Sequence, residues 1–245
     1  MTKKPVVAET LESLQQLLQE SFGNNLISIV HYGLLSGQDL NLVTTADVEV
    51  KVLVVVESLS AADWKKMSSA FDRLRGRASV IPVLLTEKSL KSSTDVFPIL
   101  IREIKNGHQL VHGKDIISSL EVQRSHLRLR CEQELRSLQL RMQSICLMHF
   151  ASPHRLRVAL IRDYRTFEPL LQIAIELSGT NTDSLDQLIK AAASKFELET
   201  EPFLAVMKFV NGSGKFDEET FGNHYIELMS AVRMTADFVD QLPAA

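Results

Sequence analysis

Leu26-Ile27-Ser28-Ile29-Val30-His31-Tyr32-Gly33-Leu34-Leu35-Ser36-Gly37 and Asp47-Val48-Glu49-Val50-Lys51-Val52-Leu53-Val54-Val55-Val56 are the two stretches on which the fold turns. The first opens with a short apolar, β-branched run, Leu26 to His31, that predicts a strand. It runs into Tyr32-Gly33-Leu34-Leu35-Ser36-Gly37-Gln38, where two glycines permit a tight loop. The second stretch predicts a longer strand, Val48 to Val56. Side chains alternate along a strand, so Asp47, Glu49 and Lys51 share one face of it.

Outward from this pair the pattern stays mixed. Before it, Leu11, Leu14, Leu17, Leu18 and Phe22 recur at helical spacing and predict an amphipathic helix ending near Gly23-Asn24-Asn25. After it, Ser60-Ala61-Ala62-Asp63 is a capping-box pattern for a helix to about Arg75, with Gly76 as its stop. Val80 to Leu85 predicts a third strand, which Pro82 demotes to an edge or a bulge because proline has no N–H to donate. Thr86 to Ser92 reads as a short helix, and Asp95-Val96-Phe97-Pro98 leads into an apolar stretch. Gln109-Leu110-Val111-His112 reads as a last strand closed by Gly113. Strands and helices in this order predict an α/β sheet domain over residues 1–118.

Beyond Glu121 the period changes. Leu127, Cys131, Leu135, Leu138, Met142 and Ile145 mark a long amphipathic helix. Pro153 starts another that runs to Ser178-Gly179, since proline suits a first helical turn. Thr182 or Asp183 is expected to cap a third, Glu201-Pro202 to start a fourth, and Asp217 to Leu242 to hold a fifth. Residues 119–245 are therefore expected to form an all-α helical bundle.

Bulk composition sets limits on function. A chain of 245 residues with 45 % apolar content builds a real core in one large or two small domains. The longest apolar run, Val52 to Val56, has strand length, far short of the ~20 residues of a spanning helix. Met1-Thr2-Lys3-Lys4-Pro5 leads into a polar helix instead of a signal-peptide core, which makes a cytoplasmic protein the expectation. Cys131 and Cys146 fall in one predicted helix, roughly 22 Å apart and beyond disulfide reach; both are expected as small apolar residues in or near the core. The net charge of −3 hides nine arginines between residues 119 and 165, Arg124 and Arg128 among them, followed by a mostly acidic C-terminal part. Either basic and acidic helices of one bundle pair with each other, or the arginines form a positive wall facing a phosphate-bearing ligand. Nucleic acid is not the expected partner, because the chain is not basic overall and lacks interleaved aromatics.

The order of these elements resembles the nucleotidyltransferase superfamily, and within it bacterial nucleotidyltransferase-like proteins with a helical C-terminal domain. The resemblance covers roughly the first 140 residues. It is carried by Val30-His31-Tyr32-Gly33-Leu34, by Asp47 to Val56, by the stretch from Asp95 to Asp115, and by His126 to Arg136. In that superfamily a Gly-Ser turn follows the first strand, and Asp-x-Asp on the second strand plus an acid on a later one hold Mg²⁺. The resemblance implies a nucleotide or other phosphate ligand near Gly33, Leu34 and Ser36, approached by Lys51, Arg124 and Arg128.

The departures point away from catalysis. Leu34 replaces the serine of the turn and removes its hydroxyl. Two registers are open for the acid pair. If it falls on Glu49 and Lys51, an ammonium replaces one metal ligand and repels Mg²⁺; this register is favoured because the apolar run follows directly. If it falls on Asp47 and Glu49, two acids survive beside Lys51 and Mg²⁺ is the implied cofactor. In neither register does Ser79 to Leu85 carry an acid, and one pair of carboxylates beside a lysine is a poor two-metal site.

Other motifs read as structural. His108 and His112 lie ~13 Å apart on a strand, too far to share one ion. Asn211-Gly212-Ser213-Gly214-Lys215 lacks the full phosphate-loop spacing and reads as an interhelical turn. Arg102 and His108 fall in the α/β domain and support no ribonuclease activity. Glu134 is expected in a structural salt bridge. Three functions follow as expectations. The first is a catalytically degenerate nucleotidyltransferase-fold protein that binds a ligand or a protein partner. The second is an active Mg²⁺-dependent enzyme using Asp47 and Glu49, and the third an assembly protein, a homodimer included, that oligomerises through its helical domain.

Overall fold

The computed structural model describes residues 6–33, 49–74, 79–182, 184–196, 199–210 and 212–243. The chain divides into two compact units, Met1–Gln123 and Arg124–Ala245. The leucine-striped first helix is α1 (Val6–Phe22), and the two deciding strands are β1 (Leu26–Tyr32) and β2 (Glu49–Val56). They are followed by α2 (Ala61–Asp72), β3 (Ser79–Thr86), α3 (Glu87–Ser92), α4 (Pro98–Asn106) and β4 (His108–Gly113). The expected stop at Gly76 lies outside the described residues.

Local chemistry accounts for these boundaries. The Ser60 backbone N–H donates to Asp63 Oδ2 at 2.8 Å, closing the first turn of α2 as the capping pattern predicts. Thr86 Oγ1 accepts from the Ser89 N–H at 3.1 Å and starts α3. Pro98 opens α4, where its missing N–H costs nothing.

The sheet order is β3-β2-β1-β4. β1 runs antiparallel to β2 and β4, while β2 and β3 are parallel and joined through α2, as a parallel pair requires a crossover. β3 is an edge strand, which is where Pro82 can sit without breaking an inner ladder. Alternation splits the sheet between two cores. Ile29, Val50, Val52, Val54 and Val56 pack with Leu14 and Leu18 of α1 and Met67 and Ala70 of α2. Val30, Tyr32, Leu53 and Val55 pack with Leu90, Ile101, Ile104, Ile116, Ile117 and Leu120 on the other face. A sheet buried on both faces explains why β2 reads as a nearly unbroken apolar run.

The second unit contains α5 (Arg124–His149), α6 (Pro153–Leu177), α7 (Leu185–Phe196), α8 (Thr200–Val210) and α9 (Phe221–Gln241). No strand occurs among its described residues. Leu127, Cys131, Leu135, Leu138 and Met142 form the buried stripe of α5, against which α6 and α9 pack. Cys131 and Cys146 are free, Cys131 buried and Cys146 half-buried. Phe203 of α8 meets Tyr164 and Phe167 of α6 at centroid distances of 5.6 and 5.9 Å. The cap of α7 differs from expectation: Ser184 Oγ accepts from the Gln187 N–H at 3.3 Å, so the helix begins after Ser184, and Asp183 lies outside the described residues. At the core, the fully buried Asp163 carboxylate accepts from Arg141, from Arg162 and from the Tyr225 hydroxyl, the last at 2.6 Å. The negative charge is thus held by donors from α5, α6 and α9, which is how a buried carboxylate is tolerated.

Candidate functional site

β1 ends at Tyr32, and Gly33 follows with φ +77°. In the antiparallel register Tyr32 stands opposite Lys51 of β2. Lys51 therefore lies beside the glycine: a β-carbon on Gly33 would sit 3.2 Å from Lys51 Cδ. From α4, Glu103 reaches the same point, 3.4 Å from that β-carbon position. Lys51 Nζ donates to Glu103 Oε1 at 2.7 Å, with each side chain 38 % exposed. Glu49 is exposed at the start of β2 and shares the strand face of Lys51, two residues away.

The electrostatics follow from this cluster. Burial pushes the Tyr32 phenol up to about 12, and the Glu103 negative charge pushes in the same direction, so Tyr32 is a neutral hydroxyl at physiological pH. On the opposite side of β1, burial lowers the His31 pKa and keeps that imidazole neutral; its Nδ1 has no hydrogen-bond partner among the described residues. Lys51, Glu49 and Glu103 together carry one positive and two negative charges.

Lys51, Glu49 and Glu103 do not by themselves make a Mg²⁺ site. A two-metal centre needs several carboxylates converging on the cations. Here Glu103 is already engaged by the Lys51 ammonium. Among the described residues no group of three or more His, Cys, Asp or Glu side chains could hold a metal ion. Leu34, Ser36 and Asp47 lie outside the described residues.

Gly33, Lys51 and Glu49 are thus brought to one end of the sheet. Glu103 was missed in the sequence, although a signal existed. Pro98 at a first helical position, with Ile101 and Ile104 three apart, marks a helix that displays Glu103 beside its buried stripe. Its partnership with Lys51 spans 52 positions and leaves no local trace.

Arg124 and Arg128 stand at the start of α5. Arg124 Nη1 and Nη2 donate to the carbonyls of Pro243 and Leu177 at 2.7 and 2.8 Å. Arg128 donates to the Val239 carbonyl at 3.0 Å and pairs with Glu132 at 3.2 Å. Both guanidiniums are therefore used at the C-terminal ends of α6 and α9. Glu134 pairs with Arg130 one turn away, as expected. The Gly212, Ser213 and Gly214 N–H groups donate to carbonyls of Lys208 and Phe209, so the phosphate-loop-like fragment is a cap of α8. His112 in β4 contacts Gln19 of α1. A groove of about 470 Å³ runs between α1 and α2, lined by Leu17, Ser21, Lys65, Lys66 and Arg73 among others. It opens on the sheet face opposite Lys51 and contains none of the residues just described.

No family model matches the sequence, and no curated protein sequence matches it. Among solved structures, the chain is similar to spectinomycin adenyltransferase AAD(9) from Enterococcus faecialis, a nucleotidyltransferase solved with ATP and spectinomycin. The TM-score is 0.56 over 96 % of this chain and 99 % of that one, at 12 % identity. The likeness is one of fold: a nucleotidyltransferase sheet followed by a helical C-terminal region.

Proposed function

We propose that this nucleotidyltransferase-fold chain binds a nucleotide or another phosphate-bearing ligand beside Gly33 and Lys51 without transferring a nucleotidyl group. The observation that carries the reading is Lys51: its side chain stands beside Gly33, on the strand face where the superfamily's metal-binding acids would stand in the favoured register. An ammonium there supplies, without metal, part of the positive charge a phosphate needs. The absence of acids from Ser79 to Leu85 supports a binding role over turnover. That AAD(9) was solved with ATP makes a nucleotide the first ligand to test.

The test is calorimetry with ATP, GTP, CTP and UTP, each in EDTA and in Mg²⁺, beside an assay for nucleotidyl transfer. The expected outcome is binding that survives EDTA, weakens in Lys51→Met by roughly 1–3 kcal/mol, less where solvent screens the contact, and yields no transfer. Turnover that disappears in Asp47→Ala or Glu49→Ala would establish the active-enzyme reading instead. A second reading, assembly through the helical unit, is favoured by one observation. Leu129, Leu140 and Leu147, 50 %, 65 % and 87 % exposed, lie along the side of α5 away from its buried stripe. An oligomeric mass that does not depend on ligand would support it.

A further inference from the structure

We infer that Glu103 is a resident counter-ion of this site, occupying the place on Lys51 that an anionic ligand must take. The inference rests on the ligand-binding reading above and adds its regulation: binding is an exchange of carboxylate for phosphate.

The geometry sets up a competition. Glu103 Oε1 lies 2.7 Å from Lys51 Nζ, a charge-assisted contact of the length a phosphate oxygen would make. The same oxygen lies 3.4 Å from where a Gly33 β-carbon would be, so the carboxylate sits in the space the glycine leaves open. Any phosphate approaching Gly33 and Lys51 meets an oxyanion already seated there. Charge points the same way. Lys51, Glu49 and Glu103 sum to one negative charge. With the Glu103 charge removed by substitution they sum to zero, and Lys51 is free to pair.

Glu103 is also able to leave. Both partners are 38 % exposed, so water can solvate the displaced carboxylate, and an ion pair this accessible is worth little to the fold. Its anchor favours this too. Ile101 and Ile104, on the buried stripe of α4, hold the helix, while the long Glu103 side chain reaches out from the half-buried flank. The specificity that follows is for ligands offering a dense negative charge, such as a triphosphate, over singly charged or neutral ones.

The experiment titrates metal-free ATP and inorganic tripolyphosphate, in EDTA, into the full-length wild-type chain and the Glu103→Gln, Lys51→Met and Lys51→Met/Glu103→Gln variants. Melting curves check folding. Glutamine keeps the shape of the side chain and removes its charge. The expected result is roughly five- to tenfold tighter binding in Glu103→Gln, a gain moderated by the exposure of the pair. That gain should vanish when Lys51 is also replaced. Binding by Glu103→Gln alone, with the wild type silent, supports the inference equally. Wild-type binding that Glu103→Gln leaves unchanged or weakens overturns the counter-ion role and leaves the ligand-binding reading standing. No binding by any of the four proteins overturns both. If Glu103→Gln fails to fold, Glu103→Ala and the salt dependence of wild-type binding decide the matter. A resident counter-ion predicts that Glu103→Ala, too, binds ATP more tightly than wild type and shows a steeper loss with added salt.

Discussion

Gly33 and Gly113 both follow the last side chain of a strand at positive φ, +77° and +83°, yet the space around each missing β-carbon differs. At Gly33 the neighbours are the Lys51 and Glu103 side chains, at 3.2 and 3.4 Å, which can swing aside. At Gly113 the β-carbon would fall 2.0 Å from the Ile27 carbonyl oxygen, in a backbone pairing that cannot move without opening the sheet. Gly33→Ala should therefore cost little beyond left-handed strain, about 1–2 kcal/mol. Gly113→Ala should add a backbone clash and cost about 4 kcal/mol or more. Urea denaturation of the two variants checks the order; equal losses would show that the β1–β4 edge relaxes. The residue scale also divides what was legible. Glu49 and Lys51 could be placed on one face from alternation alone. That Lys51 meets Glu103 required the fold, because it depends on how α4 lies over β2.

Among the helices, the basic start of α5 lies against the ends of α6 and α9. Helix C-termini leave four carbonyls unpaired and carry partial negative charge, so guanidiniums are apt partners. Arg124 binds the Leu177 and Pro243 carbonyls and Arg128 the Val239 carbonyl, which makes α6 and α9 both antiparallel to α5. The arginine-rich stretch had two readings in the sequence, acidic-helix pairing or a wall for phosphate. Pairing with acids does occur, Arg128 with Glu132 and Arg136 with Asp237 of α9, but Arg124 and Arg128 also cap carbonyls, a role invisible in a charge count because carbonyls carry no sequence signature. The double variant Arg124→Ala/Arg128→Ala should lower stability by about 1–2 kcal/mol, given the partial exposure of these contacts, and leave nucleotide affinity unchanged. Thermal melting and calorimetry on one preparation distinguish the roles: unchanged melting with weaker binding would return the arginines to the ligand site. Helix α6 shows the converse relation of propensity to context. It runs through Pro169 without ending, because Phe167, Leu170, Leu171 and Ala174 on either side are buried and hold the axis where proline alone would break it.

Across the whole molecule, the three tyrosines of the chain, Tyr32, Tyr164 and Tyr225, are all buried, and burial raises the pKa of each. In the unfolded chain a phenol ionises near its ordinary value of about 10. A raised folded value means that the unfolded state releases its protons first. The stability contributed by burying neutral phenols is thus complete below about pH 10 and is lost as pH climbs through the folded values, about 12 for Tyr32. The expected outcome is that phenolate absorbance stays flat past pH 10 in the folded protein and rises together with unfolding. Smooth titration at pH 10 without loss of structure would show that the tyrosines are open to water. The sequence by itself determined the elements and their two periods: the apolar, β-branched strand runs Leu26 to His31 and Val48 to Val56, the leucine spacing of α1 and α5, the edge or bulge implied by Pro82, and the change from mixed to all-helical pattern after Glu121. These are local, since backbone geometry imposes period 2 or 3.6 on whichever residues must face a core. Only the tertiary structure decided which side chains meet: Lys51 with Glu103, Arg124 with the ends of two distant helices, and Asp163 with Tyr225. Such pairs depend on the packing of elements far apart in the chain. That packing is set by the fit of many apolar contacts together, and no one segment of sequence records it.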